Sequence, residues 1–145
     1  RRQRQMCIRD SYEPGTLKAV NSKGKEEFVL KTAGAPAAIR LIADRSKIKA
    51  CKNDLSYVKI ELVDKNGNVV PETSLPVKIE CTGKGTVIAG GNAAYADMES
   101  FRSLTPNTFR GKAIAIVQPD GEKGDIQVKV SAKGLEDASI VITTY

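Results

Sequence analysis

Residues 126–132, Ile126-Gln127-Val128-Lys129-Val130-Ser131-Ala132, alternate apolar and polar side chains without a break. A period of two puts one set of side chains on one face and the other set on the opposite face, so the stretch reads as a half-buried strand. The same period recurs outward in both directions. Val58, Ile60 and Leu62 alternate with Lys59 and Glu61; Val77, Ile79 and Cys81 alternate with Lys78 and Glu80; Ala138, Ile140 and Ile142 alternate with Ser139, Val141 and Thr143. Residues 108–118 (TFRGKAIAIVQ) read as one longer strand, with Ala113 and Ala115 on one face and Ile114 and Ile116 on the other. Turn chemistry separates the runs at Asp64-Lys65-Asn66-Gly67-Asn68, Thr82-Gly83-Lys84-Gly85, Gln118-Pro119-Asp120-Gly121 and Lys133-Gly134. No stretch keeps a helical period over three turns, and any helix is confined to a short piece within residues 93–104.

From Ala37 onward the pattern gives about seven strands in about 109 residues, the size and spacing of an immunoglobulin-like antiparallel β-sandwich. The fold class expected is therefore all-β. Residues 12–34 add two short strands, Thr16–Val20 and Glu27–Lys31, around Asn21-Ser22-Lys23-Gly24-Lys25. A lone hairpin is marginal in water, so residues 12–35 are read as the last strands of a preceding β domain, with a linker at Thr32-Ala33-Gly34-Ala35-Pro36. Residues 36–145 form the sandwich.

Composition excludes much chemistry. The 145 residues include 23 Lys and Arg, 17 Asp and Glu, no His and no Trp. Without histidine there is no Ser-His-Asp triad, no Cys-His pair and no His-containing metal centre. With four tyrosines, three phenylalanines and no tryptophan, a stacking platform for sugars or single-stranded nucleic acid is not expected. No run of 18 apolar residues is present, so no membrane span is expected. Half of the net charge of +6 falls in residues 1–11 (RRQRQMCIRDS), where Arg1, Arg2, Arg4 and Arg9 face Asp10. Met6-Cys7-Ile8-Arg9-Asp10-Ser11 resembles the conceptual translation of a transposon end used in sequencing libraries, and residues 1–11 are read as a non-native leader rather than a nucleic-acid-binding arm. No nucleic-acid partner, cofactor or metal is expected. Cys51 and Cys81 are expected as free, partly buried thiols, a disulfide in an oxidising compartment being the alternative.

The irregular stretch Gly90–Asn107 (GGNAAYADMESFRSLTPN) holds the candidate site. Asn92, Tyr95, Asp97 and Glu99 are the candidate substrate-contact residues, set against a plain inter-strand loop pinned by Met98 and Phe101. Asp97 and Glu99 are not read as a catalytic pair, because nothing nearby separates their pKa values. Asp64-x-Asn66-Gly67-Asn68 has the opening of a calcium loop but lacks its distal glutamate, and is read as a hairpin turn. No catalytic residue is assigned.

Tyr12-Glu13-Pro14-Gly15-Thr16-Leu17-Lys18-Ala19-Val20, followed by Lys31-Thr32-Ala33-Gly34-Ala35-Pro36-Ala37-Ala38-Ile39-Arg40-Leu41, resembles a domain junction near the C-terminus of bacterial glycoside hydrolase family 2 enzymes, the β-galactosidase type common in gut Bacteroidetes. Leu55-Ser56-Tyr57-Val58, Val63–Pro71, Gly91-Asn92, Glu99-Ser100-Phe101 and Phe109-Arg110-Gly111-Lys112 resemble the invasin-like domain that follows. The chain departs from the family at Ala93-Ala94-Tyr95, where Gly-Asp-Pro is frequent, and at Met98, where the family usually has His. The resemblance implies a parent enzyme acting as a retaining exo-β-glycosidase. Its acid/base and nucleophile glutamates would lie in a TIM barrel upstream, so none carries over here. It further implies the preceding domains of the parent chain as partners, carbohydrate as the class of ligand, and a periplasmic or secreted parent in a Gram-negative bacterium. The alternatives are an Ig-like repeat of a surface adhesin and a carbohydrate-binding module.

Overall fold

The computed structural model of the chain describes residues 13–21 and 27–145. The leader reading of residues 1–11, Cys7 and the turn at residues 22–26 lie outside them. The chain divides into two compact units, residues 1–32 and 33–145.

The described part of the first unit is a two-stranded antiparallel sheet, β1 (Thr16–Val20) and β2 (Glu27–Lys31). Its register pairs Leu17 with Leu30 and Ala19 with Phe28 on one face; Thr16, Lys18, Val29, Val20, Glu27 and Lys31 share the other. Lys18 and Glu27 form an ion pair at 2.5 Å on the polar side. Leu17, Phe28 and Leu30 all remain more than half exposed.

The second unit is a sandwich of two four-stranded sheets. One contains β3 (Ala38–Ala43), β5 (Ser56–Val63), β8 (Lys112–Pro119) and β7 (Gly85–Gly91), in that order. The other contains β4 (Lys47–Ile48), β10 (Ala138–Thr144), β9 (Gly124–Ser131) and β6 (Lys78–Gly83). The strand pairings within the two sheets are antiparallel except the two-residue contact of β4 with β10, and the isolated bridge of Ala38 with Glu136 is also parallel. No helix occurs among the described residues, and residues 93–104 form turns and bends. This is the expected all-β, immunoglobulin-like architecture.

The period-two runs supply the core. Val58, Ile60, Leu62, Val117, Ile126, Val128, Val130 and Ile142 are fully buried between the sheets, each contributing about 1.5–3 kcal/mol of transfer free energy. The register sets Ala113 opposite Ile60 and Ala115 opposite Val58. The small face of β8 therefore points inward beside large residues of β5, and Ile114 points to solvent. Residues 108–118 are not one strand. Phe109 and Lys112 pair across a two-residue hairpin, Arg110-Gly111, with φ of 51° and 71°, and β8 begins only at Lys112.

The chain changes sheets between β6 and β7 at Lys84. Gly83 there has φ 99°, and a Cβ would stand 2.1 Å from the Asp125 carbonyl oxygen. Only glycine fits that crossing. Asp64–Asn68 is a turn, as expected: Val63 bridges Val69, and the Asp64 carboxylate accepts from the Asn66 and Asn68 amides at 2.8 and 2.9 Å. It also accepts from the Gly34 amide at 2.9 Å, tying the start of this unit to the turn. Cys51 and Cys81 are free thiols; Cys81 is half-buried as expected, but Cys51 is exposed because it sits in the 51–53 turn outside the sandwich.

Candidate functional site

The 90–107 loop leaves β7 at one end of the sandwich and returns to it through the backbone. The Gly90 amide donates to the Phe101 carbonyl at 2.7 Å, Ile79 to Leu104 at 2.8 Å and Val77 to Pro106 at 3.0 Å. Phe101 lies on Gly91, where a Cβ would come 2.7 Å from its ring. Met98 does not pin the loop: its side chain is 96% exposed. Main-chain hydrogen bonds fix the segment, and the apolar contact is made by Phe101 against glycine.

Three of the four candidate residues converge. Asn92 donates through Nδ2 to the Asp97 carboxylate and, at 2.9 Å, to the Asn107 carbonyl, while its Oδ1 accepts from the Ala94 amide at 2.7 Å. Asp97 Oδ1 accepts from the Glu99 amide at 2.9 Å. Glu99 accepts from the Asn107 amide at 3.1 Å and from its side-chain Nδ2 at 2.5 Å. The Glu99 backbone N–H, then the Asn92 side chain, hold the Asp97 carboxyl below its ordinary value. Tyr95 stands apart from this network, 99% exposed.

The arrangement builds a loop rather than a catalytic cleft. Each carboxylate is occupied by amides of the loop itself. The crevice that Gly91, Asn92, Asp97 and Glu99 enclose is about 30 Å³, room for one water and not for a sugar ring. A retaining glycosidase needs two carboxyl groups about 5–5.5 Å apart across an open bond-cleavage site, one held protonated. Among the described residues, no group of three or more Cys, Asp or Glu is placed to hold a metal ion.

A larger groove lies beside the loop. It measures about 640 Å³ and is lined by Val69, Pro71, Asn92, Phe109, Arg110 and Ile114, among others. The Arg110 guanidinium sits 5.6 Å from the centre of the Phe109 ring, a cation–π geometry. Arg110 is the one non-glycine residue with positive φ among those described. Reading residues 108–118 as an unbroken strand hides this groove. The dipeptide Arg110-Gly111 was the signal for it, since a two-residue hairpin needs left-handed backbone at both positions.

Residues 39–141 match the family model for glycoside hydrolase family 2 C-terminal domain 5. The chain belongs to that family. β-Galactosidase BoGH2A of Bacteroides ovatus is 33% identical over 138 residues, which is 93% of this chain and 16% of that protein. A β-galactosidase of Thermoanaerobacter pseudethanolicus is 30% identical over 123 residues, 79% of this chain and again 16% of the relative. Among solved structures, a glycosyl hydrolase family 2 member from Bacteroides cellulosilyticus superposes with a TM-score of 0.85 and 38% identity, over 92% of this chain and 18% of that one. This family 2 C-terminal domain thus spans about a sixth of the length of the curated relatives it matches. The domain presents no helix, among its described residues, long and apolar enough to cross a membrane.

Proposed function

We propose that the chain works as the non-catalytic C-terminal module of a longer family 2 glycoside hydrolase of β-galactosidase type, which cleaves O-glycosyl bonds with two glutamates of a barrel domain outside these residues. One observation carries the reading: the two carboxylates of the candidate loop, Asp97 and Glu99, have their oxygens taken up by the loop's own amides. The names and lengths of the relatives support the rest.

Within this reading residues 36–145 are the module and residues 12–35 the last strands of a preceding β domain. The hairpin's uncovered apolar side chains support that assignment. Leu17, Ala19, Phe28 and Leu30 form an apolar side that upstream strands of the parent would cover. Asn92, Asp97 and Glu99 shape the loop, and Tyr95 is the one of the four candidates whose side chain is left to meet a carbohydrate.

The test is the gene sequence upstream of these residues. The reading expects a (β/α)8 barrel with paired glutamates. A series of further Ig-like repeats would replace it with the adhesin reading, and retention of the chain on glycan affinity gels would favour a carbohydrate-binding module.

A further inference from the structure

The two outer faces of the sandwich differ in a way the fold does not require. On the β4–β10–β9–β6 sheet the outward positions include Lys78, Glu80, Thr82, Gln127 and Lys129, all exposed. Lys78 pairs with Glu80 at 2.7 Å and Lys129 with Asp137 at 2.9 Å. This is a solvated face. The β3–β5–β8–β7 sheet instead exposes Ile42, Tyr57, Ile88 and Ile114, each 38–42% accessible. Register makes Tyr57 and Ile114 parts of one patch, because Tyr57 pairs with Ile116, which shares the outward face of β8 with Ile114; Ile42 lies on the far side of Lys59. Ile88 joins them at the bulge between Val87 and Ala89. Exposed apolar residues scattered singly are ordinary, whereas a contiguous patch marks an interaction surface. The patch meets the 640 Å³ groove at Ile114, which lines both.

The charge at its margin is basic. Lys59, Lys112 and Arg110 lie on or beside this face, and its one strand carboxylate, Glu61, is held by Arg40 at 2.5 Å and lies 3.6 Å from Lys59, so that the three cations and Arg40 outnumber it. Burial works against ionisation of Glu61, but the Arg40 hydrogen bond and the charges of Arg40, Lys59 and Lys112 outweigh it and keep its pKa below the usual value. A second copy of this chain would bring basic margin against basic margin in a twofold pairing. A tethered neighbour needs less area than a free partner, because linkage supplies effective concentration. In the Bacteroides cellulosilyticus structure the matched region is 18% of the chain, leaving most of that protein available as such a neighbour.

We propose that the outer face of the β3–β5–β8–β7 sheet, with the groove at its Lys112 end, docks on another domain of a longer parent chain. The surface it meets there is apolar at its centre and carries carboxylates opposite Lys59, Lys112 and Arg110. This rests on the reading of the chain as a module of a longer hydrolase.

The experiment is hydroxyl-radical footprinting of the 145-residue chain and of the longer gene product, with oxidation read residue by residue by mass spectrometry. Tyr57 and Ile114 are expected to be oxidised severalfold less in the longer product, while Val141 on the opposite sheet stays the same. Ile114→Glu in the longer product is expected to restore Tyr57 oxidation, and to leave the melting temperature of the short chain unchanged because the position is exposed. Equal oxidation of Tyr57 and Ile114 in the two proteins overturns the proposal. So does a dimer of the short chain in sedimentation with Tyr57 already protected, or a gene that encodes nothing beyond these residues. Hydrolysis of a nitrophenyl β-galactoside by the longer product scores the functional reading separately: protection without hydrolysis upholds the docking face and sinks the enzyme assignment.

Discussion

The carboxylate of Asp64 gathers the amides of Gly34, Asn66 and Asn68 and the side-chain Nδ2 of Asn68 around one turn. The Gly34 N–H leads the causes that lower its pKa to about 2. An unfolded aspartate titrates near ~3.9, so the folded value is depressed and the folded state favours the ionised form. The stabilisation is fully present above about pH 4 and disappears as pH falls through about 2. Asp64→Asn is expected to lower stability at neutral pH and to flatten its pH dependence across that window, measured by urea denaturation at a series of pH values. Unchanged slopes would show that the carboxylate is not held as described. The Asp-Lys-Asn-Gly-Asn stretch was legible as a turn from residue types alone, because Asn-Gly supplies the positive φ found at Gly67. The partner Gly34 was not, since a contact 30 residues away has no local signature.

Strands were the most legible elements, since a period of two over six to eight residues has one physical cause. The phase of β8 was not. Ala-Ile-Ala-Ile alternates equally well with either set inward, and the choice is made by volume against β5, where Ile60 and Val58 already fill the space opposite Ala113 and Ala115. The hairpin at Phe109–Lys112 was hidden for a related reason: Phe109, Ala113 and Ala115 continue an alternation that the turn at Arg110-Gly111 interrupts. Gly111 carries that turn. Its carbonyl accepts from the Leu62 amide at 2.8 Å, its amide donates to Thr73 at 2.9 Å, and a Cβ would stand 2.2 Å from the Val70 oxygen. Gly111→Ala is expected to cost about 1–3 kcal/mol through backbone strain, and more where the Val70 carbonyl must also move. Gly67→Ala isolates the strain, with φ 80° and open space around the Cβ. Equal losses in thermal melts of the two variants would mean that the Val70 contact is not tight. The candidate loop was legible only as an irregular segment. Which polar groups meet within it depends on the Phe101 and Asn107 backbone, which no spacing rule supplies.

At the scale of the whole molecule, a 145-residue chain without histidine or tryptophan builds a sandwich whose core comes from its alternating strands and whose loop carboxylates are satisfied internally. The fold follows from pattern, and the role proposed above rests on the family to which the chain belongs. In the proposed docking, the face of the β3–β5–β8–β7 sheet that carries Tyr57 and Ile114 meets a neighbouring domain of the parent chain. The measurement that tests this account most directly is hydrolysis of nitrophenyl β-galactoside by the purified 145-residue chain alone, run over a substrate series at neutral pH. The account predicts a rate indistinguishable from buffer at every concentration. A saturable rate that falls when Asp97 or Glu99 is changed to alanine would contradict it.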